Sequence, residues 1–170
     1  MSTCRSRPSG CGRRSGRRRA LPESRFEPRL ASPTLRLTHE QYRVIVAHCL
    51  DGLPDEACGM LAGPMVAGEP TGEVSAVYPC RNADASARTY TVEPRDLLKA
   101  MRDADARGDE LVGVWHSHTH TDAYPSPTDV RQAVDPAWLY VLVSLRHGEP
   151  ALRAYRIRDA AIVEVAVSVA

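Results

Sequence analysis

Apolar positions in this chain follow two rhythms, and their order along the sequence predicts the elements. Leu111, Val112, Gly113, Val114 and Trp115 form a continuous apolar run of strand length, which reads as a buried strand extending to His118. The run from Trp138 to Ser144 is similar and predicts a central strand. Ala151 to Ile157 follows the turn residues Arg146-His147-Gly148-Glu149 and is expected to return as its hairpin partner. Ile162 to Val169 reads as a last strand near a sheet edge. Upstream, Met60 and Leu61 lead into Gly63-Pro64, a short strand closed by a turn. Glu73 to Tyr78 alternate, with Val74, Ala76 and Tyr78 on one side, and Cys80 to Ala85 read as a polar connection. Thr89 to Val92 are strand-like up to Pro94.

Three stretches carry the helical period instead. Thr38 and Gln41 have capping-box spacing, and Tyr42, Ile45, His48 and Cys49 follow at helical intervals up to Asp51-Gly52. His48 and Cys49 are read as packing residues of that helix. From Pro94 the pattern predicts a helix with Leu97, Leu98, Met101 and Ala104 on one face, ended by Gly108. Ser126-Pro127 set a cap residue and a proline where a short third helix begins. Strands interleaved with helices predict an α/β or α+β layer fold, a mixed β-sheet flanked by helices. No internal repeat is present.

Length and composition narrow the picture. A chain of 170 residues fits one domain with a sizeable core, beginning near Leu35. Residues 1–34 are rich in Arg, Ser, Pro and Gly, so they are expected to be a disordered, dispensable extension. No apolar segment follows their arginines, which argues against a secretion signal. The net charge of +1 hides an asymmetry, because basic residues crowd the N-terminus; their arginine cluster could touch nucleic acid or resemble a transit peptide or a twin-arginine signal, but no nucleic-acid partner is expected. The five cysteines are odd in number, widely spaced and without a Cys-x-x-Cys pair. That supports neither a disulfide framework nor a cysteine zinc site, and points to reduced thiols in a cytoplasmic protein. No apolar run approaches the ~18 residues of a membrane helix, so no membrane association is expected.

The candidate chemistry lies at the end of the strand 111 to 118. Residues two apart on a strand share a face, so His116 and His118 can converge, and Asp129 arrives after a turn as an oxygen donor. Two imidazoles and a carboxylate leave a fourth position open, the ligand set of a catalytic zinc. A His-x-His pair alone also occurs at strand ends without any metal. A water in the open position would have its pKa lowered toward ~7 and would need a base, usually a carboxylate. Ser126, three residues before Asp129, can face the same cavity and donate to a developing oxyanion. Glu56 beside Asp55 reads as a surface charge unless the fold sets it over the metal. Cys58 lies in an apolar strand without a neighbouring histidine and reads as core. A zinc deaminase also pairs a metal with a glutamate, but its Pro-Cys-x-x-Cys run is absent.

Taken together, His-x-His, seven residues, Ser, two residues and Asp, with an upstream Glu, resemble the signature of the JAMM (JAB1/MPN/Mov34) metalloprotease family. His116, His118, Ser126, Asp129 and Glu56 match every position of it, and Gly113, Trp115 and the segment Glu56 to Leu61 are also similar. The likeness spans about residues 35 to 165. It implies a JAB1/MPN-like sheet with cytidine-deaminase-like layering. It also implies Zn2+ held by His116, His118 and Asp129, with Glu56 deprotonating the bound water and Ser126 stabilising the tetrahedral intermediate. Tyr124-Pro125-Ser126 and the compact length are similar to small bacterial members that act in cysteine biosynthesis. Those members cut after the Gly-Gly-type C-terminus of a ubiquitin-like sulfur-carrier protein and release cysteine. The alternatives are an isopeptidase that removes a ubiquitin-like modifier from lysine, and a non-catalytic MPN scaffold, which usually lacks the ligands. One departure stands out: many members carry Pro after the second histidine, where this chain has Thr119 and His120. It leaves open whether His120 supports the site or lies on an exposed loop.

Overall fold

The computed structural model describes residues 33–170, so the expected extension falls almost wholly outside the described residues, as do Cys4 and Cys11. The chain runs β1 (Leu35–Leu37), α1 (His39–Asp51), β2 (Cys58–Gly63), β3 (Met65–Val66), β4 (Glu69–Pro70) and β5 (Ala76–Cys80). It continues through α2 (Pro94–Arg107), β6 (Glu110–His118), α3 (Pro127–Gln132), β7 (Leu139–Ser144), β8 (Ala151–Arg158), β9 (Ala161–Val165) and β10 (Val167–Val169). Six strands form one sheet in the order β5-β2-β6-β7-β8-β9. Its β6–β7 pair is parallel, and the others are antiparallel. The mixed sheet flanked by helices is as expected.

The unbroken apolar runs of β6 and β7 follow from cover on both faces of the sheet. On one face Ile45 and Cys49 of α1, with Leu35 and Leu37 of β1, pack on Trp115, Leu139, Val141, Val143 and Ala154. On the other face Ala100 of α2 meets Cys58, Met60, Val114 and Tyr140. A register shift opposite Leu61 and Ala62 puts an extra residue, Val112, into β6. Val112 and Trp115 therefore both point to the α1 face, although they are three positions apart. Beyond the shift the alternation is regular, so Val114, His116 and His118 share the α2 face.

Trp115 lies across from Gly59 in register. A Cβ on Gly59 would come within 2.4 Å of the Trp115 ring and 2.3 Å of the Tyr78 carbonyl oxygen, so only glycine lets the indole lie against β2. His48 approaches the same indole edge-on with centroids 5.4 Å apart, and its Nε2 is 3.0 Å from the Cys80 carbonyl oxygen. Cys49 is fully buried beside it. Both residues thus pack α1, as expected. Burial pushes the Cys58 thiol up to about 12, which fits a core residue and not a nucleophile.

The capping boxes at Thr38–Gln41 and Ser126–Asp129 both form. Four expectations need correction. Thr89 to Val92 make no strand: the Asn82 side chain takes backbone bonds that a ladder would use, and one bridge to Val92 remains. The strand expected over 73–78 is shifted to Ala76–Cys80, because Glu73 bridges Arg36 and Val74 N donates to Arg36 O. On α2, Ala104 is buried as expected, but Leu98 and Met101 are each 46% exposed and the small Ala100 is buried beside Ala104, letting the helix approach the sheet closely. The stretch 162–169 breaks at Ala166: β9 is the sheet edge, while β10 leaves the sheet and pairs in parallel with β1. The hairpin β3–β4 was not anticipated, and Arg156 and Arg158 of β8 hold it through Glu69.

Gly59→Ala is expected to destabilise the fold by about 1–3 kcal/mol, the usual cost of overpacking a core. Thermal denaturation reads this as a melting point lowered by several degrees, and an unchanged melting point would show that Trp115 can move aside.

Candidate active site

The C-terminal end of β6 is where the chain leaves the sheet to cross over to parallel β7, the place where α/β sheets expose groups for chemistry. His116 sits there between Cys58 on β2 and Leu142 on β7, and both His116 and His118 are buried. Asp129 comes from the first turn of α3. Its carboxylate is fixed by the capping box: Ser126 N donates to Asp129 Oδ2 at 2.6 Å, and Asp129 N donates to Ser126 Oγ at 3.2 Å. The cap that starts the helix therefore also aims a ligand-type oxygen.

Three donor atoms converge. The Nε2 atoms of His116 and His118 are 3.1 Å apart, and each lies 3.4 Å from an Asp129 carboxylate oxygen. His118 Nδ1 donates to the Asp122 carbonyl oxygen at 2.8 Å and lies 3.0 Å from Thr121 Oγ1. A proton held at Nδ1 leaves the Nε2 lone pair directed at the convergence point. The His116 ring stacks on Tyr90 with centroids 4.3 Å apart and 22° between the planes. Among the described residues these three form a group able to hold a metal ion.

The electrostatics favour a cation at that point. Burial opposes the charge on Asp129, but its bonds to His116 and His118 outweigh it and hold the carboxyl far below the usual range. Burial lowers the His116 pKa, which keeps that imidazole neutral, as a ligand must be. Burial acts the same way on His118 but is outweighed by its bonds to Asp129 and to the Asp122 carbonyl oxygen, so its pKa is raised, the mark of a negative surrounding.

Glu56 precedes β2 and is only 7% exposed. Its backbone is tied twice to the loop that follows β5, through Glu56 N to Ser86 O at 2.8 Å and Asn82 Nδ2 to Glu56 O at 2.9 Å. Next to it, Ala57 N donates to Ser117 Oγ at 2.8 Å and Ser117 N donates to Ala57 O at 2.9 Å. The carboxyl is pushed up to about 7, chiefly by burial and further by Asp129, with His118 acting the other way. It lines a pocket of about 460 Å³ together with His118, Ser126, Arg88, His120 and Thr121. Glu56 is therefore not a surface charge.

His120 is exposed and stays outside the three-donor group; its Nδ1 is 2.5 Å from Thr119 Oγ1. Two contributors went unread in the sequence. Asn82 makes four bonds, from Nδ2 to the carbonyls of Glu56 and Thr89 and to Oδ1 from the N–H groups of Asp84 and Thr91. The short-range bond to Asp84 is the familiar Asx turn and was the one available signal. Tyr90 carried no signal beyond its strand-like neighbours.

The family model described as prokaryotic homologs of the JAB domain matches residues 38–158. The CysO-cysteine peptidase of Mycobacterium tuberculosis is 42% identical over 126 residues, which cover 74% of this chain and 84% of that protein. A desampylase of Haloferax volcanii is 32% identical over 120 residues, covering 68% and 84%. Among solved structures, a Desulfitobacterium hafniense protein is 33% identical at a TM-score of 0.70, covering 79% of this chain and 92% of its own. A JAB1/MPN domain protein from Archaeoglobus fulgidus, 16% identical at a TM-score of 0.51, shares the fold, covering 81% and 99%. With the site's geometry, these matches establish that the chain belongs to the prokaryotic JAB-domain family, the JAMM-type peptidases.

Proposed function

We propose that the protein is a zinc metallopeptidase that cuts after the Gly-Gly-type C-terminal tail of a ubiquitin-like sulfur-carrier protein and releases L-cysteine. The observation that carries the chemistry is the meeting of His116, His118 and Asp129 with the buried Glu56 carboxyl. Tetrahedral zinc with bonds of about 2.0–2.1 Å sets its ligand atoms roughly 3.3 Å apart. The 3.1 Å between the two imidazole nitrogens is close to that edge, a different Asp129 oxygen lies 3.4 Å from each nitrogen, and the mixed nitrogen and oxygen set suits zinc. His116, His118 and Asp129 would hold the ion, which supplies Lewis-acid chemistry, polarising a carbonyl and lowering the pKa of water toward ~7.

The chain's own residues do the rest. Glu56 accepts the proton of the attacking water at its carboxylate and delivers it to the leaving nitrogen. A carboxyl raised to about 7 is matched to both tasks near neutral pH. Ser126 Oγ accepts from Asp129 N, so its own hydrogen is free to donate to the developing oxyanion. The substrate class rests on the similarity to CysO-cysteine peptidase over most of the chain. The free buried thiols Cys49, Cys58 and Cys80 suit the cytoplasm, and among the described residues no helix is long and apolar enough to cross a membrane.

A second reading, cleavage of an isopeptide bond between a ubiquitin-like modifier and lysine, is favoured by the desampylase and by a 36% identical relative named as a probable TtuB-protein conjugate cleaving protease. Side-by-side kinetics on a carrier–cysteine adduct and a carrier–lysine conjugate distinguish the two. A scaffold role is disfavoured by the presence of all five site residues.

Glu56→Gln is expected to lower turnover by about 10²- to 10⁴-fold, the scale of general acid–base catalysis, with zinc content by metal analysis unchanged. Undiminished hydrolysis would remove Glu56 from the chemistry. Asp129→Ala is expected to lose the metal itself. Chelation of the wild-type protein should abolish activity and added zinc should restore it; activity indifferent to chelators would overturn the metallopeptidase reading.

A further inference from the structure

The pocket beside the convergence point has two unlike walls. Glu56, His118 and Ser126 form the reacting wall, and Arg88, His120 and Thr121 line the remainder. Among the described residues the Arg88 guanidinium has no ion pair, as is also true of Arg43, Arg95, Arg102 and Arg131, but of these only Arg88 lines the pocket. A guanidinium is always charged and presents a planar fork suited to a carboxylate.

Its loop is tied to two neighbouring segments and braced by one bond of its own. Ser86 O accepts from Glu56 N, Ser86 Oγ accepts from Arg88 N at 3.2 Å, and Ala87 O accepts from Thr119 Oγ1 at 3.3 Å. The last bond needs a hydroxyl at position 119, which a proline there would not have. The local departure Thr119-His120 and the placement of Arg88 are thus linked: the strand end that carries His118 also fixes the loop that carries the unpaired cation.

On the proposed reaction, the two candidate substrates differ just past the scissile bond. A C-terminal cysteine carries a free α-carboxylate two bonds from the leaving nitrogen. A lysine side chain carries only methylenes there. We propose that Arg88 binds the free α-carboxylate of the leaving residue and so selects a single C-terminal amino acid over an isopeptide-linked lysine. This rests on the carrier–cysteine reading and specifies which part of the substrate the site recognises.

The test uses the full-length zinc-loaded enzyme and three carriers: one ending in Gly-Gly-Cys with a free acid, the same ending as a C-terminal amide, and one joined through its terminal glycine to a lysine side chain. The wild type is expected to cleave the acid with a kcat/KM roughly 10- to 100-fold above the amide, the scale of a charge-assisted hydrogen bond. Arg88→Ala should bring that ratio close to one, and Arg88→Lys, which keeps the charge but loses the fork, should restore part of it. A purely structural role would lower acid and amide together and leave the ratio intact, and that result overturns the assignment. So does a wild-type ratio near one, or an Arg88→Ala loss shared equally by all three carriers, which would mean contact with the carrier body. Cleavage of the lysine conjugate alone would overturn the cysteine-releasing reading itself, a different outcome from an unmoved ratio on an active enzyme.

Discussion

Ala57 and Ser117 exchange two hydrogen bonds across the β2–β6 pair, and the whole site depends on that exchange. It fixes the register at which Glu56, sixty residues earlier in sequence, arrives beside two histidines on the neighbouring strand. One step of slippage would turn every side chain of the incoming strand to the opposite face. The base would then point at α1 instead of the pocket. The serine between the histidines is therefore as much a part of the design as the histidines beside it, because its hydroxyl faces away from the pocket and holds the neighbouring strand.

A second constraint is the cost of burying two imidazoles and two carboxylates at the end of an apolar sheet. Each isolated charge there would be strongly disfavoured, so the groups are stable only through one another and through the ion they are suited to hold. The capping box lowers that cost at Asp129 by giving one carboxylate oxygen a backbone donor. Tyr90 closes the other side of His116 with an apolar ring face, which limits water at the ligands.

Much of this was legible in the sequence because its signals are local. The two capping boxes, the apolar runs of β6 and β7, and the spacing from His116 to Asp129 each lie within a short window. What escaped depends on contacts between distant segments. Nothing near Asn82 shows that its amide binds Glu56 and Thr89, and nothing near Tyr90 shows that it meets His116. Periodicity also misled where size outranked hydropathy, as on α2, where alanines face the sheet and Leu98 and Met101 face outward. At β6 the additional residue Val112 breaks the alternation, so the pattern alone could not say which face Trp115 takes. Glu56 lies between these cases: the family motif pointed to it, but only strand pairing gives it a burial and a partner.

The pairing of β1 with β10 joins segments some 130 positions apart, the longest-range contact among the described strands. Leu35 and Leu37 belong to the principal core cluster, yet their strand is completed only by a segment that emerges some 130 residues later. Until β10 has been made, a nascent chain therefore carries an unpaired edge and uncovered leucines. Non-local closure of this kind slows folding and exposes apolar surface in the interim. The β1–β10 clasp thus also sets the moment at which that edge stops needing protection from aggregation.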